Sequence, residues 1–133
     1  MATIESACQY ADDVLAGHVI AGKWVKQACK RFIKDLDTHK FDVDKARRIL
    51  DFFPDFIRHV KGKLAGQPYE LSDWEAFILI NLFGFVDENG KRRFRTAYVE
   101  VARKNSKSTF CSGIALFMTA FDMEGGAEVY SAA

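Results

Sequence analysis

The stretch that decides how this chain is interpreted runs Tyr98-Val-Glu-Val-Ala-Arg-Lys-Asn-Ser-Lys-Ser-Thr109. A run of β-compatible residues is followed by a polar turn, by Lys-Ser-Thr and by an apolar helical pattern. Phosphate-binding loops have this order, because N–H groups of the turn and of the helix start cradle phosphate oxygens. The lysine of such a loop reaches the β- and γ-phosphates, and the next hydroxyl meets Mg²⁺. The segment therefore predicts a triphosphate site.

The sequence of this loop departs from the standard pattern G-x-x-x-x-G-K-[ST]. With Lys107 at the lysine, Val101 and Ser106 occupy the two glycine positions. A non-glycine residue held in a left-handed conformation costs roughly 1–2 kcal/mol, and the Ser106 side chain would stand where phosphate oxygens sit. The alternative interpretation is an ordinary basic N-cap on a helix. The strand before the loop and the helix and strand after it favour the phosphate loop.

The first half of the chain is helical by its apolar period. One stripe at 3–4 spacing comprises Val25, Cys29, Phe32, Ile33 and Leu36. Asp42 is predicted to cap a second helix, whose stripe comprises Ala46, Ile49, Leu50 and Phe53 and which Pro54 breaks or kinks. A short helix is expected to continue through Phe56, Ile57 and Val60 up to Gly62, followed by a loop to residue 71.

A further helix is predicted to start at Ser72, because Glu75 three residues on completes a capping box. Its expected buried side comprises Trp74, Phe77, Ile78 and Leu82. A turn over Asp87–Gly90 then joins a short strand near Phe83–Val86 to a longer strand near Arg93–Val101.

The loop is expected to lead into a helix over Thr109–Phe121 and a second strand over Ala127–Ser131. Together these elements form one right-handed βαβ unit. The fold class is therefore α/β, with a helical N-terminal segment (1–61) followed by the beginning of a sheet domain (62–133).

Bulk composition allows one domain of 133 residues with a real core, since 49% of the residues are hydrophobic. The net charge of +1 indicates no particular partner. Cys8, Cys29 and Cys111 lack CxxC spacing and are interpreted as reduced and buried, as in a cytoplasmic protein. The start lacks a signal-peptide pattern, and no apolar stretch approaches the roughly 20 residues of a membrane span.

Three ordered motifs give the chain a resemblance to the large subunit of tailed-phage terminases, in the branch typified by phage HK97. They are Gly66-Gln-Pro-Tyr-Glu-Leu-Ser-Asp-Trp-Glu75, Gly90-Lys-Arg-Arg-Phe-Arg95 and Ala102-Arg-Lys-Asn-Ser-Lys-Ser108. Residues 126–133 also resemble that family's second strand. The resemblance implies a P-loop ATPase domain over 62–133. It also accounts for Val101 at the first glycine position, because the family lacks that glycine.

The resemblance implies a role for each residue of the loop. Lys107 would hold the β- and γ-phosphates of ATP, and Arg103 would stabilise the γ-phosphate as charge develops; these two are the catalytic candidates. Ser108 would hold Mg²⁺, and Thr109 would lie near the α-phosphate. Lys104, Asn105 and Ser106 complete the phosphate-binding set.

An adenine-binding element is implied by Tyr69, Trp74 and Glu75. The family has glutamine where this chain has Glu75, and a carboxylate cannot donate to adenine N7 as an amide does. Glu75 would otherwise only cap its helix, and Trp74 would otherwise belong to the core. Glu75 could also accept from the two donors of guanine, which would change the base that is chosen.

Partners implied by the resemblance are double-stranded DNA, through the intact packaging motor, the small terminase subunit and the portal. The basic run comprises Lys91, Arg92, Arg93 and Arg95. A structural or ATP-proximal role is favoured for it over DNA binding, although phosphates attract such patches.

A motor ATPase also needs a Walker B acidic pair, and a terminase needs nuclease carboxylates; neither is present in these 133 residues. The chain is interpreted as a terminase fragment or relic, as in a prophage, that binds ATP without hydrolysing it alone. Its place is the bacterial host cytoplasm, and its open sheet edges predict self-association. The alternative function is a non-catalytic interaction module that docks partners through the N-terminal helices.

Overall fold

The computed structural model describes residues 1–132. Four helices make up its first part: α1 (Ile4–Ala16), α2 (Lys23–Thr38), α3 (Val43–Phe56) and α4 (Asp73–Gly84). The predicted caps of α3 and α4 are confirmed. Asp42 accepts from Lys45 N at 3.1 Å, and Ser72 and Glu75 form the expected capping box. These side chains satisfy backbone N–H groups that have no partner inside the helix.

The core lies where α4 packs against α1 and α3. Aromatic rings dominate it, with edge-on contacts such as Phe32 to Phe77 at 5.3 Å between ring centroids. The largest fully buried side chains are Phe32, Phe53, Phe85, Ile49, Leu79, Ile80, Val14 and Cys29. Because α4 begins at residue 73 and completes a core built from α1 and α3, this core spans the predicted boundary at residues 61 and 62.

The predicted stripe of α3 is confirmed, since Ala46, Ile49, Leu50 and Phe53 are all buried. That of α2 is confirmed at its centre, where Cys29 and Phe32 are buried. At its two ends, Val25 and Leu36 remain about two-fifths exposed. The three cysteines also differ, because Cys29 is buried and Cys8 half-buried, whereas Cys111 is exposed, contrary to the prediction.

The chain leaves α3 earlier than its apolar residues predict. The helix includes Pro54 and ends at Phe56, so the expected short helix up to Gly62 is absent. Ile57 instead takes an extended conformation, and its carbonyl accepts from Tyr69 N at 2.8 Å. A long-range partner therefore replaces the local helical bond, and Val60 is left 80% exposed.

Two short strands, β1 (Lys40–Phe41) and β2 (Phe85–Val86), pair antiparallel and form the sheet of the described residues. The predicted strand over Phe83–Val86 is thus half correct, because α4 continues to Gly84. The turn at Asp87–Gly90 is confirmed. Asp87 accepts from Lys91 N at 3.0 Å and from Asn89 N at 2.8 Å, and Gly90 has a φ of 77° that suits glycine.

The last helix, α5 (Lys107–Ala120), packs on α3. Its start lies two residues before the predicted Thr109. Gly113 faces Phe53 so closely that an added Cβ would lie 2.5 Å from the ring carbon Cε1. A larger residue at this position would therefore push α5 away from the core.

The two main strands predicted for the βαβ unit are not formed. Residues 94–101 and 127–132 run without a strand assignment, and Tyr98 and Tyr130 are each 86% exposed. A strand satisfies its N–H and C=O groups only through neighbouring strands, and within residues 1–132 neither segment has such a neighbour. The observed fold is therefore a helical assembly with a two-stranded sheet, and a P-loop sheet is not seen.

Candidate phosphate-binding site

The loop between residues 102 and 106 turns sharply by using left-handed backbone at two non-glycine residues. Lys104 has a φ of 65° and Ser106 a φ of 58°. The side-chain amide of Asn105 donates to the carbonyl of Ala102 at 3.0 Å and to that of Arg103 at 3.4 Å. Left-handed residues within a turn direct successive N–H groups to one side and so create a concave anion site.

The N-terminus of α5 completes the concave site. Ser106 is the N-cap residue, but its side chain makes no capping hydrogen bond. Its carbonyl accepts from Phe110 N at 2.9 Å, so the helical bonds begin at Phe110. The N–H groups of Lys107, Ser108 and Thr109 precede that first bond and are available to an anion. The dipole of a helix of 14 residues adds a partial positive charge at the same point.

Cationic side chains surround this helix end. Arg103, Lys104 and Lys107 are exposed. Within residues 1–132 no carboxylate lies within salt-bridge distance of any of the three. An anion bound at the loop would thus meet positive charge that the protein itself does not neutralise.

Phe110 anchors the start of α5 to the core and brings the predicted adenine element beside the loop. The ring is 3% exposed, with its centroid 5.8 Å from that of Phe53 and 6.2 Å from that of Trp74. Trp74 itself is half-buried at the start of α4. Residues separated by more than thirty positions in the sequence therefore meet at one end of α5.

Glu75 and Tyr69 form a buried hydrogen-bonded pair next to the loop. Glu75 is 4% exposed and Tyr69 2% exposed. One carboxylate oxygen of Glu75 accepts from Tyr69 Oη at 2.6 Å, and the other accepts from the N–H and hydroxyl of Ser72 at 3.1 and 2.7 Å. Burial and this carboxylate raise the pKa of Tyr69 far above its ordinary value, while a hydrogen bond from the Ser106 side chain acts in the opposite direction.

Two of the four cations in the basic run form internal ion pairs. Arg93 donates to the buried Asp35 on α2, and Arg92 donates to Asp122 just after α5. Lys91 and Arg95 remain exposed. These contacts support a structural role for the first two arginines. Asp35 was missed by sequence reasoning, because a partner 58 positions away leaves no signal in the local pattern.

The predicted phosphate-binding residues thus lie in one loop and the first helical turn, with Tyr69 and Trp74 next to them. The predicted roles of Arg103, Lys107, Ser108 and Thr109 stay predictions. Among residues 1–132 no cluster of histidine, cysteine or carboxylate side chains has the form of a metal site. The sequence prediction names one magnesium ligand, the hydroxyl of Ser108. No helix of the described part is long and apolar enough to cross a membrane.

Comparison with known proteins gives one family. Residues 73–133 match the family model described as terminase large subunit, ATPase domain. Neither the curated proteins nor the solved structures give a significant match to the chain. The matched region begins with α4 and includes the turn at Asp87–Gly90, the loop and α5. It supports the resemblance to terminase large subunits without distinguishing a branch of that family. Residues 73–133 of this chain are thus similar to the ATPase domain of terminase large subunits.

Proposed function

We propose that residues 103–109 bind the phosphates of Mg²⁺-ATP, as the nucleotide site of a terminase ATPase. The observation that carries this proposal is the backbone of the loop. Two non-glycine residues are held left-handed directly before a helix whose first N–H groups are free, and three unpaired cations surround them. Strained backbone of this kind costs about 1–3 kcal/mol per residue and tends to persist at functional sites.

The roles in this proposal are those that the resemblance to terminases implies. Lys107 reaches the β- and γ-phosphates from the first helical turn, and Arg103 approaches the γ-phosphate from the opposite end of the loop. Ser108 supplies a hydroxyl oxygen to Mg²⁺, whose preferred ligands are oxygens. Thr109 lies beside the α-phosphate. Magnesium held through Ser108 would partly neutralise the charge of the phosphates.

In the intact motor this site would couple ATP hydrolysis to the movement of double-stranded DNA into a procapsid. The isolated chain is proposed to bind nucleotide without hydrolysing it, because hydrolysis needs an acidic pair that activates water. Asp122 does not supply such a group, since it is paired with Arg92.

Isothermal titration of ATP into the full chain, with and without Mg²⁺, tests the proposal. We expect binding that requires Mg²⁺ and that Lys107→Ala weakens at least tenfold, because the lysine is the cation nearest the helix start. Lys34→Ala, on the exposed surface of α2, is the matched control and should leave the affinity unchanged. Equal affinity for Lys107→Ala and the original chain would overturn the assignment of the loop.

The alternative, a protein-interaction module, is favoured by one observation on the N-terminal helices. Trp24 at the start of α2 is 74% exposed, and Ile20 just before it is fully exposed. Large exposed apolar surfaces are typical of docking sites for other proteins. Such a module would bind the small terminase subunit or the portal with the same affinity whether or not ATP is present.

A further inference from the structure

The carboxylate of Glu75 is buried and already bonded within the protein. Both oxygens accept hydrogen bonds, one from Tyr69 and one twice from Ser72. The residue is 4% exposed, so a base could reach it only after these bonds were broken. Opening a buried hydrogen bond to a charged group is costly, because the group then loses both water and its partner. Contact with a base would therefore have to offset the loss of several bonds.

Tyr69 is occupied in the same way. Its hydroxyl donates to Glu75, and its ring packs 5.8 Å from Phe53 and 5.1 Å from His59 between centroids. Its ring is also 2% exposed, so no face is open for stacking with a base. Tyr69 and Glu75 thus support the loop from inside the protein.

Trp74 is the member of the element that remains accessible. It is half-buried and borders Phe110 at the start of α5. Stacking of a base on an aromatic ring tolerates every base, because each base has a π-face. With Tyr69 and Glu75 engaged inside the protein, the element offers a base an indole ring but no polar side chain from these two residues to distinguish its edge.

We propose that this site recognises nucleoside triphosphates through their phosphates and a stacked base, without selecting adenine over the other bases. The inference rests on the proposed function of residues 103–109. It assigns Tyr69 and Glu75 as positioning residues, which hold the start of α4 beside the loop, and Trp74 as the contact with the base.

Displacement of a ribose-labelled fluorescent ATP from the full chain tests the inference. ATP, GTP, CTP and UTP are each titrated in Mg²⁺, and we expect their dissociation constants to agree within fivefold. Trp74→Ala should weaken all four by about tenfold, the loss expected from one stacked ring, whereas Trp74→Phe should retain most of the affinity. Glu75→Gln should leave the order of the four nucleotides unchanged, because its amide would still bond to Ser72 and Tyr69.

The outcomes separate the inference from the proposed function. A preference for ATP or for GTP above fivefold, in the original chain or in Glu75→Gln, overturns the inference and leaves the phosphate loop intact. Selective loss of one nucleotide in Trp74→Ala also overturns it. Absence of binding by the labelled ATP overturns the proposed function, and the inference with it.

Discussion

Two regions of the molecule differ in how well they are held. The helical region (residues 4–86, with α1 to α4, β1 and β2) buries a continuous aromatic core, in which Phe32, Phe53 and Phe85 are fully inaccessible. The loop region (residues 94–132) contributes Phe110, Gly113 and Phe117 to that core through α5. On both sides of α5 its chain forms no helix or strand and is mostly exposed.

The difference follows from where each kind of element finds its hydrogen-bond partners. A helix satisfies its backbone internally and needs only one apolar face to pack. A central strand depends on strands that lie elsewhere in the chain. The phosphate loop falls between the two cases, because it is shaped by its own left-handed residues and fixed at one end by Phe110. The candidate loop is thus built here on a helix, without a P-loop sheet among residues 1–132.

The largest expected effect concerns Phe53, which joins the two regions. Phe53→Ala should lower the free energy of unfolding by about 3–5 kcal/mol, since the ring is fully buried and its loss leaves a cavity beneath α5. Tyr98→Ala removes an aromatic ring of similar size from the exposed chain and should change stability by less than about 0.5 kcal/mol. Urea unfolding followed by circular dichroism measures both.

A cost of Tyr98→Ala as large as that of Phe53→Ala would break the comparison. It would show that residues 94–101 are packed in solution, for example as a strand between copies of the chain. Sedimentation velocity on the same samples would then identify self-association, which the open segments predict.

A second contrast separates the arginines of the basic run. Arg93→Ala leaves the buried carboxylate of Asp35 with only a longer contact to Arg31 at 4.0 Å and to His39 at 3.5 Å. We expect a loss of about 2 kcal/mol, within the range for hydrogen bonds to charged groups. Arg95→Ala, at an exposed neighbour, is the control and should be nearly neutral by thermal unfolding. Equal losses of stability for Arg93→Ala and Arg95→Ala would mean that the contact of Arg93 with Asp35 does not stabilise the fold.

A smaller effect should appear at alkaline pH. The folded pKa of Tyr69 is raised, so the stability from its protonated form is complete below the unfolded pKa of about 10. It is lost as the pH rises from there toward the folded pKa. By pH 11 the loss should amount to about 1 kcal/mol, and Tyr69→Phe should lack it. Unfolding in urea at pH 8 to 11 measures the difference, and parallel slopes would contradict the contacts of Tyr69.

Local patterns in the sequence were sufficient for part of the helical region. The caps at Asp42 and Ser72 and the stripe from Ala46 to Phe53 need only nearby residues, and all were predicted correctly. Features that depend on distant partners were not. The end of α3 is set by the bond between Tyr69 and Ile57, and the burial of Asp35 is matched by Arg93.

The candidate site shows the same division. The loop and its helix were placed from the order of residues 98–109, and the family match supports that assignment. The two strands around it were predicted from β-compatible side chains and from the resemblance, neither of which can show whether a neighbouring strand is present. The occupation of Glu75 by Tyr69 likewise required the fold, although the capping box already indicated the contact with Ser72.

The most direct test of the central claim observes the loop itself. Backbone ¹H–¹⁵N resonances of the full chain, recorded during addition of Mg²⁺-ATP, report which amide groups meet the phosphates. We predict that the largest shifts belong to residues 104–109, with smaller shifts at Trp74 and none in α1. Saturating nucleotide that leaves residues 104–109 unshifted, or that moves only resonances elsewhere, would contradict the account.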